Sequence, residues 1–341
     1  MAVQKLAHIT KISKGSYEEK LTEILSKKMG IAATTEYRNR YLSSFDTEYL
    51  KLSKNLQSNT ITVNISELCN FKCSMCDVPG NNKATSNLEI KQVLDFLDNA
   101  ALNPAIICCI LGSGSEITLH KDWKKLVSHA INIFPDTILF TNGSKLDDSD
   151  IGFLVNSGLT RLFISLDAAS PETFKKIRGY DLLDKIETII KNIIAFRSKV
   201  KSLTPLVRVS FVKQKENHEE IDKFTEKWIE TVDSVEFQEL DDISKFKDRN
   251  YVNVLPHLNV DGCSQPPKCH YPFSYLSLWS NGNISPCCNS YGRDSDELKL
   301  ANINDENYMH KAMDGLKTIQ NSFLSEKWDQ IPNTCRHCLL N

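Results

Sequence analysis

Cysteines are the residues of this 341-residue sequence best equipped for chemistry, and there are 11 of them. The tightest group is Cys69-Asn70-Phe71-Lys72-Cys73-Ser74-Met75-Cys76, a C-x3-C-x2-C run. Three thiolates on one short loop can bind three irons of a [4Fe–4S] cube. The fourth iron then has no protein ligand and is open to donor atoms of a bound molecule. Structural zinc wants a closed set of four ligands, so zinc here would need a further ligand from elsewhere. A second, looser set ends the chain: Cys269, Cys287, Cys335 and Cys338, with Gly282 between the first two. Four thiolates make a closed site for zinc or for a fully ligated [4Fe–4S] cluster, and spacing alone does not choose between them. Cys108 and Cys109 sit inside an apolar run and read as small core side chains. Cys263 and Cys288 are left without a cofactor role.

Composition narrows the alternatives. An odd number of cysteines, with no apolar secretory signal at the start, does not suit a disulfide framework. Hydrophobic residues at 41% and charged residues at 25% are the balance of a soluble globular protein. A net charge of −2 gives no reason to expect nucleic-acid or membrane-surface partners. The longest uncharged apolar run, 105–111, is too short to cross a bilayer. A cytoplasmic protein is expected.

The elements that must hold the first cysteines follow an alternating rhythm. Apolar, β-branched runs at 60–66, 105–111, 137–141, 161–166, 206–212 and 234–240 read as strands. Helical periodicity lies between them at 88–101, 123–133, 148–157, 182–198 and 218–230. Strand–helix alternation predicts an α/β fold of parallel units, and six units predict a partial (β/α)6 barrel in 60–240. Side chains alternate faces along a strand. Ile61, Val63 and Ile65 should meet the helices, leaving Thr62, Asn64 and Ser66 in the lumen. By the same rule Ser165, Asp167, Arg208, Ser210, Glu236 and Gln238 face inward. A polar lumen is a place for a small polar ligand.

The flanks differ from this rhythm. Residues 1–59 read as a helical extension, with Tyr17, Leu21, Ile24 and Leu25 on one side of a helix at 16–29. Residues 241–262 read as a linker. Residues 263–341 form a small Cys-rich domain, with a hairpin at 273–286 and a helix at 310–325. A domain that small gains from a metal staple.

The loop 69–76, placed at the end of a first barrel strand, resembles the hallmark of the radical S-adenosylmethionine (radical SAM) enzymes. That hallmark is C-x3-C-x-φ-C with φ usually aromatic; here φ is Met75. Gly112-Ser113-Gly114-Ser115-Glu116 resembles the family's G-G-E-P segment, with Ser115 for the second glycine and Ile117 for the proline. The resemblance implies that Gly114, Ser115 and Glu116 approach the methionine end of S-adenosylmethionine. It implies that Asn142, Ser165 and Asp167 line the cofactor, and that Arg178 of Lys176-Ile177-Arg178-Gly179 grips its carboxylate. The C-x12-G-x4-C stretch from Cys269 to Cys287, with the terminal C-x2-C, resembles the SPASM and twitch extensions of the family. It implies a second, auxiliary [4Fe–4S] cluster on Cys269, Cys287, Cys335 and Cys338.

The family mechanism implied is reductive cleavage of S-adenosylmethionine to a 5′-deoxyadenosyl radical, which takes hydrogen from a substrate. The closed cysteine set resembles that of the family's aminocyclitol dehydrogenases. It implies net oxidation of a small polar molecule, such as a sugar or aminocyclitol, with the auxiliary cluster taking an electron. Arg208 or Glu236 would then assist loss of a hydroxyl proton. A peptide or protein maturase is the alternative. An electron donor such as a flavodoxin or ferredoxin is the implied partner.

Overall fold

The structure, a computed structural model, describes residues 2–6, 9–13, 17–43, 58–76, 87–240, 269–287, 296–325 and 328–340. The expected linker 241–262, together with Cys263 and Cys288, lies outside the described residues. One sheet runs through the molecule. Its first two strands are β1 (Ala2–Leu6) and β2 (Ile9–Ser13). The next six are β3 (Thr60–Val63), β4 (Cys108–Leu111), β5 (Asp136–Thr141), β6 (Arg161–Ser165), β7 (Leu206–Lys213) and β8 (Ser234–Glu239). Three short strands end it: β9 (Tyr275–Leu278), β10 (Asn283–Ser285) and β11 (Ala301–Asn302). The order is β1-β2-β8-β7-β6-β5-β4-β3-β9-β10-β11.

The stretch from β3 to β8 is parallel throughout, as the strand–helix rhythm requires. Its observed strands match the expected ones to within a few residues. Helices α1 (Tyr17–Met29) and α2 (Ile31–Ser43) precede it. Helices α3 (Ile90–Ala101), α4 (Trp123–Ile133), α5 (Asp148–Asn156), α6 (Pro171–Arg178), α7 (Leu183–Lys199) and α8 (Ile221–Trp228) supply the crossovers. The outer face carries Ile61, Val63, Leu139, Ile164, Val209 and Phe237, packed with Phe96, Leu126, Leu154, Ile190 and Trp228 of the helices. Burying one such side chain is worth about 1.5–3 kcal/mol.

Two expectations are corrected here. Residues 1–59 are not only helical: β1 and β2 form an antiparallel hairpin, and β2 pairs with β8 from Ile9↔Gln238 to Ser13↔Ser234. The hairpin covers the edge that a six-stranded sheet would leave open. The inner face is also not uniformly polar. Tyr17, Leu21, Ile24 and Leu25 of α1 pack with Cys108, Ile110, Ile138, Phe163 and Leu206. The apolar stripe of α1 therefore plugs one end of the lumen. Cys108 and Cys109 are buried on opposite faces, and burial pushes the Cys108 thiol up to about 12.

The C-terminal region is welded to the barrel. β9 adds to β3 in parallel, with Thr62 opposite Ser277, and β10 and β11 continue antiparallel. Helix α9 (Tyr308–Leu324) and helix α10 (Asn333–Leu340) follow. Among the described residues no helix is long and apolar enough to cross a membrane.

Candidate active site

The C-x3-C-x2-C loop leaves β3 and packs on the end of α6. That helix has its own start and stop signals: Ser170 caps it by accepting from Thr173 N, Pro171 opens it, and Gly179 ends it with φ +81°. Lys72 N donates to the Arg178 carbonyl at 3.4 Å and Ser74 N to the Ile177 carbonyl at 2.8 Å. Phe71, fully buried, stacks on Tyr180 at 5.5 Å and meets Phe174 edge-on at 6.1 Å. Cys73 is thus fixed between two backbone hydrogen bonds. Cys69 and Cys76 are half-buried beside it.

Arg178 brings charge to this loop. Its Nη1 donates to Cys73 Sγ at 3.4 Å, and its Nη2 lies 2.5 Å from Asp167 Oδ2. Asp167 is fully buried, and its Oδ1 accepts from Val212 N at 2.8 Å. Its φ is +64°, a left-handed conformation that Asp tolerates better than most residues. The expectation that Ser165 and Asp167 project the same way is therefore corrected. Strand alternation stops at Ser165, the last residue of β6. Asp167 turns to Arg178, while Ser165 Oγ accepts from Ser210 Oγ at 3.5 Å.

Glu116 makes a dense set of contacts within the protein. Its carboxylate is fully engaged by the protein. Oε1 accepts from Thr118 N at 3.2 Å, Thr118 Oγ1 at 2.5 Å and Thr141 Oγ1 at 2.8 Å; Oε2 accepts from Asn142 N at 2.6 Å. Burial pushes its pKa up, against the pull of these hydrogen bonds. Its own N–H donates to the Leu68 carbonyl at 2.9 Å. Glu116 is a brace joining β4, β5 and the base of the cysteine loop. Asn142 is a second brace: its Nδ2 donates to Asn70 Oδ1 at 3.0 Å, and Asn70 Nδ2 donates to Ser144 Oγ at 2.8 Å.

The inner face beside the loop holds polar atoms with nothing to bond. Thr62 Oγ1, Asn64 Nδ2, Ser66 Oγ, Ser115 Oγ, Ser277 Oγ and Arg178 Nε are buried without a hydrogen-bond partner. Gly114 N donates to Asn64 Oδ1 at 2.7 Å, and a Cβ on Gly114 would stand 3.0 Å from that oxygen. The absence of a side chain at Gly114 is what permits the approach. Buried polar groups in native proteins are normally paired. Three thiols on one loop, a guanidinium beside one of them and this set of orphaned donors and acceptors fit an anionic iron–sulfur cluster with a polar ligand at its open iron.

Deeper in the lumen, Arg208 and Glu236 form one buried ion pair at 2.5 Å. Arg208 stacks on Phe163 with 3.6 Å to the ring centroid and reaches Tyr17 Oη at 3.4 Å. Gln238 Nε2 donates to Glu236 Oε1 at 2.9 Å. The two expected catalytic groups are thus partners of each other, roofed by α1.

In the C-terminal region Cys269 and Cys335 pack against a small core of Phe273, Leu298, Ile319, Phe323 and Ile331. Burial pushes the Cys269 thiol up to about 12, with the Cys338 charge adding to it. Cys335 is raised by burial, then by Cys269 and Cys338. These three thiols therefore stand within electrostatic reach of one another. Cys287 follows β10, where its carbonyl accepts from Ser285 Oγ at 3.0 Å. Among the described residues no three His, Cys, Asp or Glu side chains are already drawn into a metal-gripping arrangement.

Two contributors were not singled out from sequence. Asn217 holds the Asp167 backbone, and Ser277 enters the inner face from a strand more than 200 residues away from β3. Asn217 follows β7 with no motif around it; nothing in the sequence pairs β9 with β3.

Residues 63–227 match the family model described as the Radical SAM superfamily. A probable GTP 3′,8-cyclase of Saccharolobus islandicus is 32% identical over 170 residues, covering 49% of this chain and 51% of its own. A probable GTP 3′,8-cyclase of Sulfurisphaera tokodaii is 28% identical over 181 residues, covering 53% and 55%. The chain thus spans about half the length of the curated relatives it matches. The structure of Streptococcus suis SuiB bound to precursor peptide SuiA aligns with TM-score 0.58 at 14% identity, covering 92% of this chain and 89% of that one. That likeness extends to the fold alone. Cysteine loop, guanidinium, parallel strands and family match agree in making residues 63–227 of this chain similar to a radical SAM superfamily domain.

Proposed function

We propose that this chain is a radical SAM enzyme that oxidises a small polar molecule, with Cys269, Cys287, Cys335 and Cys338 holding a second [4Fe–4S] cluster. The observation that carries this reading is the row of buried, unpartnered polar atoms on the inner face, at Thr62, Asn64, Ser66 and Ser277. A hydroxylated or amide-bearing ligand pairs with such atoms, whereas an apolar one leaves their desolvation uncompensated. The names of the archaeal relatives describe action on a nucleotide, also a small polar molecule.

When bound, the cluster on Cys69, Cys73 and Cys76 together with S-adenosylmethionine supplies a carbon-centred radical for hydrogen abstraction. The chain's residues do the rest. Glu116 and Asn142 hold the ends of β4 and β5 against the cysteine loop. Gly114, Ser115 and Ser165 offer backbone and hydroxyl groups to the cofactor. Glu236 accepts the proton of a substrate hydroxyl, and Arg208 fixes its carboxylate from one side as Gln238 does from the other. The plug of α1 closes that end of the lumen to water. A closed set of four cysteines would leave no open iron, so a cluster held there would supply electron transfer and not substrate ligation. A small acidic electron carrier of the flavodoxin or ferredoxin kind is the expected reductant.

The test is turnover of the anaerobically reconstituted chain in deuterium-labelled cell extract separated into small molecules and peptides. Deuterium entering 5′-deoxyadenosine from the small-molecule fraction supports the reading. Deuterium from the peptide fraction alone makes the chain a peptide maturase and overturns it.

A further inference from the structure

We infer that Arg178 is a positioning residue that sets the electron affinity of the cysteine-loop cluster by donating a hydrogen bond to the Cys73 sulfur, and that Asp167 tempers it. This rests on the reading that Cys69, Cys73 and Cys76 hold a [4Fe–4S] cluster. The family resemblance gives the arginine a different task, the grip on a ligand carboxylate. In this chain two edges of the guanidinium are already in use. One NH2 group meets Cys73 Sγ at 3.4 Å and the other meets Asp167 at 2.5 Å.

The contact is built into the backbone. Lys72 N and Ser74 N, on either side of Cys73, donate to the carbonyls of Arg178 and Ile177. The cysteine and the arginine therefore cannot slide past each other without breaking two main-chain hydrogen bonds. Gly179 lets the segments approach, since a Cβ there would stand 3.3 Å from the Lys72 carbonyl oxygen. Arg178 is only 8% exposed, so water screens little of its charge.

The sign follows from electrostatics. An iron–sulfur cluster gains one negative charge on reduction, and hydrogen bonds to its sulfurs favour the more negative state. Arg178 therefore makes the cluster easier to reduce. The Asp167 carboxylate, fully buried on the far side of the guanidinium, cancels part of that effect. The pair sets a value between the extremes that either residue alone would produce.

The test is a redox titration, followed by electron paramagnetic resonance, of the anaerobically reconstituted full chain without S-adenosylmethionine. Binding of S-adenosylmethionine is measured alongside. Arg178→Gln should move the cysteine-loop signal to a more negative midpoint, and Asp167→Asn to a more positive one. Arg178→Lys, which keeps charge but loses the planar fork, should fall between wild type and Arg178→Gln. Unchanged midpoints in all three variants overturn the inference. So does a loss of S-adenosylmethionine affinity in Arg178→Gln with an unmoved midpoint, which gives the arginine to the ligand instead. If Arg178→Gln takes up no iron, the direction of the shift in Asp167→Asn decides. A wild-type chain that binds no cluster refutes the underlying reading of the cysteines, a result distinct from any of these.

Discussion

Asn217 holds Asp167 in its left-handed turn: the Asn217 amide donates to the Asp167 carbonyl at 2.9 Å and to the Val212 carbonyl at 2.8 Å. Its Oδ1 accepts from Gln214 N at 2.7 Å, so every arm of the amide is used. A line of contacts then runs from Asn217 through Asp167 and Arg178 to Cys73. The loop after β7 thereby steadies a cysteine that leaves β3. Asn217→Ala should leave two buried carbonyls unpaired and cost about 1–3 kcal/mol. A urea-denaturation midpoint checks it; an unchanged midpoint would mean that Asp167 keeps its turn unaided.

Glu116 makes a second prediction. Its two oxygens accept four hydrogen bonds, from Thr118 between β4 and β5, from Thr141 at the end of β5 and from Asn142 just after it. Glu116→Gln turns one acceptor into a donor and sets it against another donor. The expected loss is about 1–3 kcal/mol, read from the same denaturation curves. A carboxylate whose main work was to meet a ligand would cost affinity and little stability.

The third concerns pH. Asp233 is buried against Lys20 of α1, Arg197 of α7 and Val207 N, and it ties the plug to the barrel. Burial would raise its pKa, but Arg197, Val207 N and Lys20 outweigh burial and hold it below the usual value. A depressed carboxylate binds fewer protons in the folded state than in the unfolded one. Its stabilisation is therefore complete above about pH 4 and is lost as pH falls through the folded pKa. Thermal melts from pH 6 to pH 3 should drop more steeply for wild type than for Asp233→Asn. Parallel curves would remove Asp233 from the acid response.

Thr62 separates binding from architecture. Its hydroxyl is buried and unpartnered, so it adds nothing to the folded state as it stands. Thr62→Val should keep stability or raise it by up to about 1 kcal/mol. If the inner face binds the polar substrate, kcat/KM should fall about tenfold, the loss expected for about 1.4 kcal/mol of binding. A variant that is both stable and fully active would take Thr62 out of the site.

Much of the barrel could be read directly. The run 206–212 became Leu206–Lys213, and 123–133 became Trp123–Ile133, because long apolar periods leave few alternatives. Helix α6 did not enter the rhythm: its eight residues bury only Phe174, Ile177 and Arg178, too few for a period to emerge. The hairpin β1–β2 escaped because Ala7-His8 between its strands is not hairpin-turn chemistry. The stripe Tyr17, Leu21, Ile24 and Leu25 was visible, but where it docks is a tertiary fact. The residue types of the candidate site were legible, while their division of labour was not. The bracing contacts of Glu116 and Asn142 depend on Thr118, Thr141 and Asn70, which no local pattern brings together.

If the loop Cys69–Cys76 carries the radical chemistry, removing its three thiols must end that chemistry. Wild type and a Cys69→Ala, Cys73→Ala, Cys76→Ala triple variant are reconstituted anaerobically with iron and sulfide, then reduced in the presence of S-adenosylmethionine. Wild type should hold about eight irons, four per cluster, and release 5′-deoxyadenosine and methionine. The triple variant should keep about four irons at the C-terminal cysteines and release no 5′-deoxyadenosine. Continued release of 5′-deoxyadenosine from the triple variant would contradict the account.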